Sequence, residues 1–387
     1  MSNPFARLDL DQLRRRQSLK WRAYPSDVLP QWVAEMDTLP AEPVRAALED
    51  ALAIGDTGYP WGTGYAEAYA GFAADQWGWR PDPADMSPVA DVMNGVVEAL
   101  RLVTGRGDTV VLVPPVYPPF FAFVRSMGRD LLDAPLGADN RLDLGVLEQA
   151  FATATQGHRR AAALLCNPHN PTGTVHTAAE LSAVAALADR YGVRVVVDEI
   201  HAPLVYDAGL PGDADRFTPY LSLPAASRGF VVFSASKGWN LAGLKAALIV
   251  AGPDARSELE RLPEEVSHGP SALGVLAHTV ALREGREWLA EHLSALDEHR
   301  RLLGELLTAA LPEVGYTPPA STYLAWLDCR PLDLPDEPAE VFLERGRVAL
   351  FAGEDFGAGG SGHVRLNFAT SPAVLAEAVQ RMAAAVR

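Results

Sequence analysis

The sequence predicts an α/β fold: a large domain on a mainly parallel sheet, followed by a smaller α+β C-terminal domain. Three observations lead there. Short apolar runs recur between about residues 109 and 250, as 109–113 (TVVLV), 161–166 (AAALLC), 193–197 (VRVVV), 229–233 (GFVVF) and 246–250 (AALIV). Unbroken runs of this length suit strands buried on both faces. Helical patterns fall between them, as a parallel sheet with crossover helices requires. Beyond about residue 285 the texture changes to one long helical stretch and then alternating strands.

Taken in order, residues 1–45 mix charge, Trp and Pro without clear periodicity and read as an arm with short elements. A helix opens at 94–102 (NGVVEALRL). The strand at 109–113 is ended by Pro114-Pro115, and the strand at 161–166 by Asn167-Pro-His-Asn-Pro-Thr-Gly173. Thr177 and Glu180 form a capping box for a helix over 177–191. Leu181, Val184, Leu187, Ala188 and Tyr191 share its inner face, and Gly192 terminates it. The runs at 193–197, 229–233 and 246–250 follow. The helix at 287–311 and strands at 323–327 and 363–368 complete the chain. The expected organisation is an arm over 1–48 that joins the small domain, a large domain over 49–285 and a small domain over 286–387.

The 387 residues are 48% hydrophobic and 21% charged, enough to build a core. The net charge of −16 repels nucleic acid and anionic lipid, so neither is an expected partner. Cys166 and Cys329 lie far apart and make neither a disulfide framework nor a zinc cluster. No stretch reads as an apolar leader or membrane span, and the expectation is a cytoplasmic protein. Of the 33 basic residues only Lys20, Lys237 and Lys245 are lysines. Chemistry that needs a side-chain amine therefore has three candidates. Lys20 sits among Arg14, Arg15, Arg16 and Arg22 and reads as part of a solvated charged stretch.

Ligands of open α/β sheets bind beyond the carboxyl ends of the strands. Three strands here end in polar clusters: Asn167 to Gly173, Asp198 to His201, and Ser234, Ser236, Lys237 and Asn240. A lysine at a strand end is a Schiff-base candidate. Pyridoxal phosphate requires such a lysine, a carboxylate for its ring nitrogen, and an anion site at a helix N-terminus. Asn94 to Val97, with Ser234, Ser236 and Lys245, offer the last. Taken singly, Asn167 to Gly173 could be a turn, Asp198 a helix cap, His201 a buried structural histidine and Arg365 a surface arginine.

The segments VAEMDTLP (33–40), GYPWGTGY (58–65), PPVYPPF (114–120), NPHNPTG (167–173), VVVDEIH (195–201), SASKGWNLAGLK (234–245), STYLAWLD (321–328) and HVRLNFA (363–369) together resemble a known family. It is the fold-type I (aspartate aminotransferase-like) pyridoxal-phosphate enzymes, in their MalY/PatB-type cystathionine β-lyase branch. The resemblance implies pyridoxal 5′-phosphate as cofactor and β-elimination of L-cystathionine to homocysteine, pyruvate and ammonia. Lys237 is then the lysine that holds the cofactor and moves the substrate proton. Asp198 partners the ring nitrogen, Asn170 and His201 the ring oxygen, and Tyr117 stacks on the ring. Gly95, Val96, Val97, Ser234, Ser236 and Lys245 form the phosphate cradle. Tyr59 reaches the phosphate of a second subunit, implying a homodimer with shared sites. Arg365 clamps the substrate carboxylate, with Tyr323 and Asp37 beside the substrate. Relatives often read D-M-D-F where this chain has Glu35-Met36-Asp37-Thr38. The rival readings are an aminotransferase, which shares every cofactor residue, and a regulator-binding protein with incidental lyase activity.

Overall fold

A computed structural model describes residues 3–206 and 216–387. Its centre is a seven-stranded sheet. In spatial order the strands are Met86–Val89, Ala247–Ala251, Phe230–Phe233, Arg194–Asp198, Ala161–Cys166, Thr109–Leu112 and Asp130–Asp133. Ala247–Ala251 runs antiparallel to both of its neighbours, and every other pairing in this sheet is parallel. The inner strands are buried along their whole length, which is why they appear in sequence as unbroken apolar runs. Two apolar cores flank the sheet, one on each face.

The helix Ala178–Tyr191 begins with the expected capping box of Thr177 and Glu180 and ends at Gly192 in the left-handed conformation. The helix Val92–Val103 starts earlier than the sequence suggests, because Asp91 caps it by accepting the N–H of Asn94. Gly95, in its first turn, packs against the sheet. A Cβ there would lie 2.6 Å from Val232 Cγ1 and 3.1 Å from Val89 Cγ2.

A second, four-stranded antiparallel sheet contains Gly315–Tyr316, Leu324–Asp328, His363–Asn367 and Phe351–Ala352. The 25-residue helix Arg286–Ala310 and the helix Pro372–Ala385 pack on each other beside it. The N-terminal arm is tied to this part of the molecule. Leu29–Pro30 pairs in parallel with Val348–Ala349, Asn3 Nδ2 lies 2.8 Å from His299 Nε2, and Phe5 packs against His292 and His299. No helix among the described residues is long and apolar enough to cross a membrane.

Candidate active site

Adjacent strands bring the three polar clusters to one crevice. Cys166 lies opposite Asp198, and Asp198 opposite Val232, so Asn167, Asp198 and Ser234 leave the sheet side by side. Asp198 is 5% exposed, and one carboxylate oxygen accepts the N–H of Ile200 at 2.9 Å. Burial raises its pKa to about 7, against the opposing pull of that N–H and of Lys237. His201, three residues on, is 3% exposed, its Nδ1 is buried without a hydrogen-bond partner, and burial keeps it neutral. Its ring lies 6.4 Å from that of Tyr323.

Lys237 Nζ donates to the carbonyl of Ala34 at 2.8 Å, and the Tyr323 hydroxyl donates to the same oxygen at 3.0 Å. Enclosure and the neighbouring Arg365 charge lower the Lys237 pKa to about 8, with Glu35 and Asp198 opposing. A lysine in this state exchanges its proton near neutral pH, as a base must.

Arg365 is not a surface arginine. It is 2% exposed, with its guanidinium 4.9 Å from the Phe351 ring and 5.1 Å from the Phe356 ring. Nη1 donates to Asn170 Oδ1 at 2.9 Å and Nη2 to the Trp32 carbonyl at 3.0 Å, while Nε is buried without a partner. With its oxygen engaged by Arg365, the Asn170 side chain keeps its amide N–H groups for another acceptor. Burial lowers the Arg365 pKa to about 10. A guanidinium buried this way, with a donor left over, is suited to a carboxylate.

Residues 90–382 match the model of the family described as aminotransferase class I and II. The chain belongs to that family. A Mycobacterium leprae protein provisionally named cystathionine beta-lyase is 54% identical over 402 residues, covering 100% of this chain and 98% of its own length. The cystathionine beta-lyase of Corynebacterium glutamicum is 34% identical, covering 97% of this chain and 98% of its own. A Corynebacterium diphtheriae structure provisionally described as a PLP-dependent beta-cystathionase superposes with a TM-score of 0.90 at 36% identity, covering 98% of each chain. These relatives agree with the lyase branch that the sequence motifs resemble.

The family's cofactor fits the residues present. Asp198 is a buried carboxyl short of a partner, His201 Nδ1 is orphaned, Asn170 has a spare donor, Lys237 is an amine of lowered pKa, and Tyr117 lies half-buried at the crevice.

Four expectations need correction. Gly95 is not a free phosphate donor, since its N–H bonds to the Asp91 carbonyl at 2.9 Å, and its missing side chain serves packing against the sheet. Val96 and Val97 lie beyond it in the helical ladder. The N–H groups at the open end belong to Val92 and Met93, three residues earlier than expected. The Ser234 hydroxyl is already used, donating to the Ala246 carbonyl at 2.8 Å and accepting from Ser236 N–H at 3.2 Å. Asp37 does not face substrate. It is fully buried, accepting from Lys20 Nζ at 2.8 Å and Trp21 Nε1 at 2.9 Å. Lys20 is accordingly a buried ion-pair partner and not part of a solvated stretch. Lys245 pairs with Asp91 at 2.8 Å, which sets its ammonium at the helix start.

The sequence placed the loop 31–38 beside the substrate through Asp37, but missed that its backbone carbonyls are what the site residues hold. Arg365, Lys237 and Tyr323 bond its carbonyls at Trp32 and Ala34. Asn367 Nδ2 bonds the carbonyls of Val33 and Glu35 at 2.7 Å each. Asn240 takes the Met36 N–H at 2.8 Å and donates to the Met36 carbonyl at 2.9 Å. It does so from a left-handed backbone at φ 57°, which Asn tolerates.

Proposed function

We propose that this chain is a pyridoxal 5′-phosphate-dependent carbon–sulfur lyase. It performs β-elimination on sulfur amino acids, L-cystathionine foremost, releasing homocysteine, pyruvate and ammonia. The observation that carries the reading is the convergence of Lys237, Asp198, Asn170 and Arg365 on one crevice, in a chain whose relatives bear the lyase name.

In this reading Lys237 would hold the cofactor's aldehyde carbon, Asp198 its ring-nitrogen proton, and Asn170 and His201 its ring oxygen. Tyr117 would cover the ring. The open helix end at Val92 and Met93, with Ser236 and Lys245, would receive the phosphate. When bound, the cofactor supplies an electron sink for charge developing at the substrate Cα. The chain's own residues do the rest. Arg365, held between Phe351 and Phe356, grips the substrate carboxylate and fixes the direction of the Cα–H bond. Lys237 in its neutral form takes that proton. The Cβ–S bond then breaks, the thiolate leaves and is protonated, and the released enamine hydrolyses to pyruvate and ammonia. Residues 1–48, 49–285 and 286–387 act in this reading as arm, cofactor-bearing domain and small domain. The buried free thiols of Cys166 and Cys329 suit a cytoplasmic enzyme.

We further infer a homodimer in which Tyr59 reaches the cofactor phosphate of the second copy. Tyr59 is 93% and Trp61 99% exposed, beside exposed Leu52 and Ile54, an apolar surface that a second copy would cover. Mixed dimers of Tyr59→Phe and Lys237→Ala should recover part of the activity that each lacks. Absence of recovery would remove the shared site.

The deciding test is release of pyruvate and thiol from L-cystathionine with no keto acid added. Transfer of the amino group to an added keto acid, with no thiol released, would replace the lyase by the aminotransferase reading.

A further inference from the structure

The lysine-bearing segment 234–245 is held at several points by one helix, Ala272–Glu284. At the helix start, the Ser271 N–H donates to the Lys245 carbonyl at 2.9 Å. Gly274 lies against the same turn, where a Cβ would come 2.7 Å from the Lys245 oxygen and 3.1 Å from the Leu244 carbonyl carbon. Just past the helix end, the Gly285 carbonyl accepts the Trp239 indole N–H at 2.8 Å. Between these contacts stands His278, one turn after Gly274 on the same face.

His278 is fully buried, and burial keeps it neutral. Its Nδ1 lies 3.2 Å from the Tyr65 hydroxyl and 3.5 Å from Ser234 Oγ, while Nε2 is buried without a partner. One ring atom therefore meets both hydroxyls. Tyr65, whose ring stands edge-on to the imidazole at 5.7 Å, lies in the first turn of the helix Gly64–Trp77, just past the exposed Tyr59 and Trp61. On the other side, Ser234 accepts the Ser236 N–H at 3.2 Å and donates to the Ala246 carbonyl at 2.8 Å. The Ser234 hydroxyl thus shapes the turn that leads into Ser236 and Lys237. Burying an imidazole is costly unless its polar atoms are used. The atom used here joins a helix start to the turn that carries the reacting amine.

We propose that His278 is a positioning residue for the cofactor. Through Nδ1 it locks Ser234 against Tyr65, and so fixes Ser236 and Lys237 where the phosphate and the aldehyde carbon would meet them. This rests on the reading that those two residues hold pyridoxal 5′-phosphate, and it deepens that reading by naming what holds them in place.

The test dilutes holoenzyme into cofactor-free buffer and times the loss of its visible absorbance. His278→Leu should release pyridoxal 5′-phosphate about tenfold faster than wild type, the scale of one buried hydrogen bond. Tyr65→Phe keeps the ring and drops only the hydroxyl. It should also speed release, and it answers even where changes at His278 prevent folding. His278→Asn puts an amide near the place of Nδ1 and should hold the cofactor nearly as wild type does. His278→Gln reaches the place of Nε2 instead and should behave like His278→Leu. The double variant Tyr65→Phe with His278→Leu removes both polar partners together. The cofactor-free protein should then regain thermal stability while release stays fast. Wild-type retention in Tyr65→Phe or His278→Leu overturns the proposal. So does a His278→Asn variant no better than His278→Leu, or a double variant that recovers cofactor retention along with stability, since packing alone would then explain the residue. A wild type that gains no visible absorbance from pyridoxal 5′-phosphate would sink the cofactor reading itself, a result separable from the others.

Discussion

Lys20 and Lys237 grip neighbouring carbonyls of one loop from opposite sides, and their surroundings differ. Lys20 holds the Glu35 carbonyl at 3.1 Å and meets the buried carboxylate of Asp37 at 2.8 Å. Lys237 holds the Ala34 carbonyl at 2.8 Å but has no carboxylate in contact, and its pKa falls to about 8. Enclosure of a lysine does not by itself make a base. What matters is whether the charge is matched. In the arm the match is complete and the result is structure. In the crevice it is withheld, from Lys237, Asp198 and His201 alike, and the result is a set of groups poised to bind or to exchange protons.

The contrast breaks most sharply at Lys237. Lys237→Ala should lower kcat for pyruvate release by about 10³-fold or more and remove the visible absorbance of the holoenzyme. Unchanged colour and turnover would show that another residue holds the cofactor. Removing one member of the arm pair should act on stability first. Lys20→Met leaves the buried Asp37 carboxylate with only the more distant Arg16 guanidinium, at 3.8 Å, as counterion, at a cost of about 3 kcal/mol in denaturant unfolding. The double change Lys20→Met with Asp37→Leu should regain most of that loss. A single variant as stable as wild type would end the view of the pair as a strut. Asn240→Ala should cost about 1–3 kcal/mol, since it strips two bonds from Met36 and puts alanine at positive φ.

The smallest effect is on pH dependence. Burial raises Asp198 from 3.8 to about 7 and Glu199 from 4.5 to about 8. Between those limits the folded cofactor-free protein holds protons that the unfolded chain has released, so its stability falls as pH rises from about 4 to 8. Lys237, lowered from 10.5 to about 8, has the opposite sign: above pH 8 the unfolded chain holds the extra proton and stability recovers. A cofactor nitrogen facing Asp198 would give the carboxylate its missing partner. The difference in Tm between loaded and cofactor-free protein should therefore widen from pH 5 to 7.5, and Asp198→Asn should flatten it. A constant difference in the wild type would mean that Asp198 does not meet the cofactor.

These contrasts also explain what could be read in advance. Lys237, Asp198 and Asn170 were legible because each is a reactive side chain just past an apolar run, and the parallel order of the strands then places them together. The part played by the loop 31–38 was legible only as a neighbour of substrate through Asp37, because what it contributes is carbonyls, and a carbonyl at Ala34 has no residue-type signature. The Lys20–Asp37 pair joins positions in an arm without periodicity, so nothing in the local pattern tied the two together. The helix Gly64–Trp77 escaped notice for a related reason. It buries Tyr65, Ala66, Ala68, Tyr69, Ala70, Phe72 and Ala73, which leaves no polar face to mark a period. The start of Val92–Val103 was misplaced because the Asn94-Gly95 pair looked like a beginning, whereas Asp91 caps the helix and Gly95 is there for close contact with Val232.

The short parallel pairing of Leu29–Pro30 with Val348–Ala349 has a consequence for how the protein is made. The ribosome releases the arm first and its pairing partner only after about three hundred further residues have been added. Phe5, buried in the finished molecule, likewise has to wait for His292 and His299. Loop closure over such a span is slow, so the nascent arm must stay unpaired through most of synthesis. Completion of the catalytic crevice, whose wall includes Trp32 and Ala34, is thereby deferred until the last part of the chain has emerged.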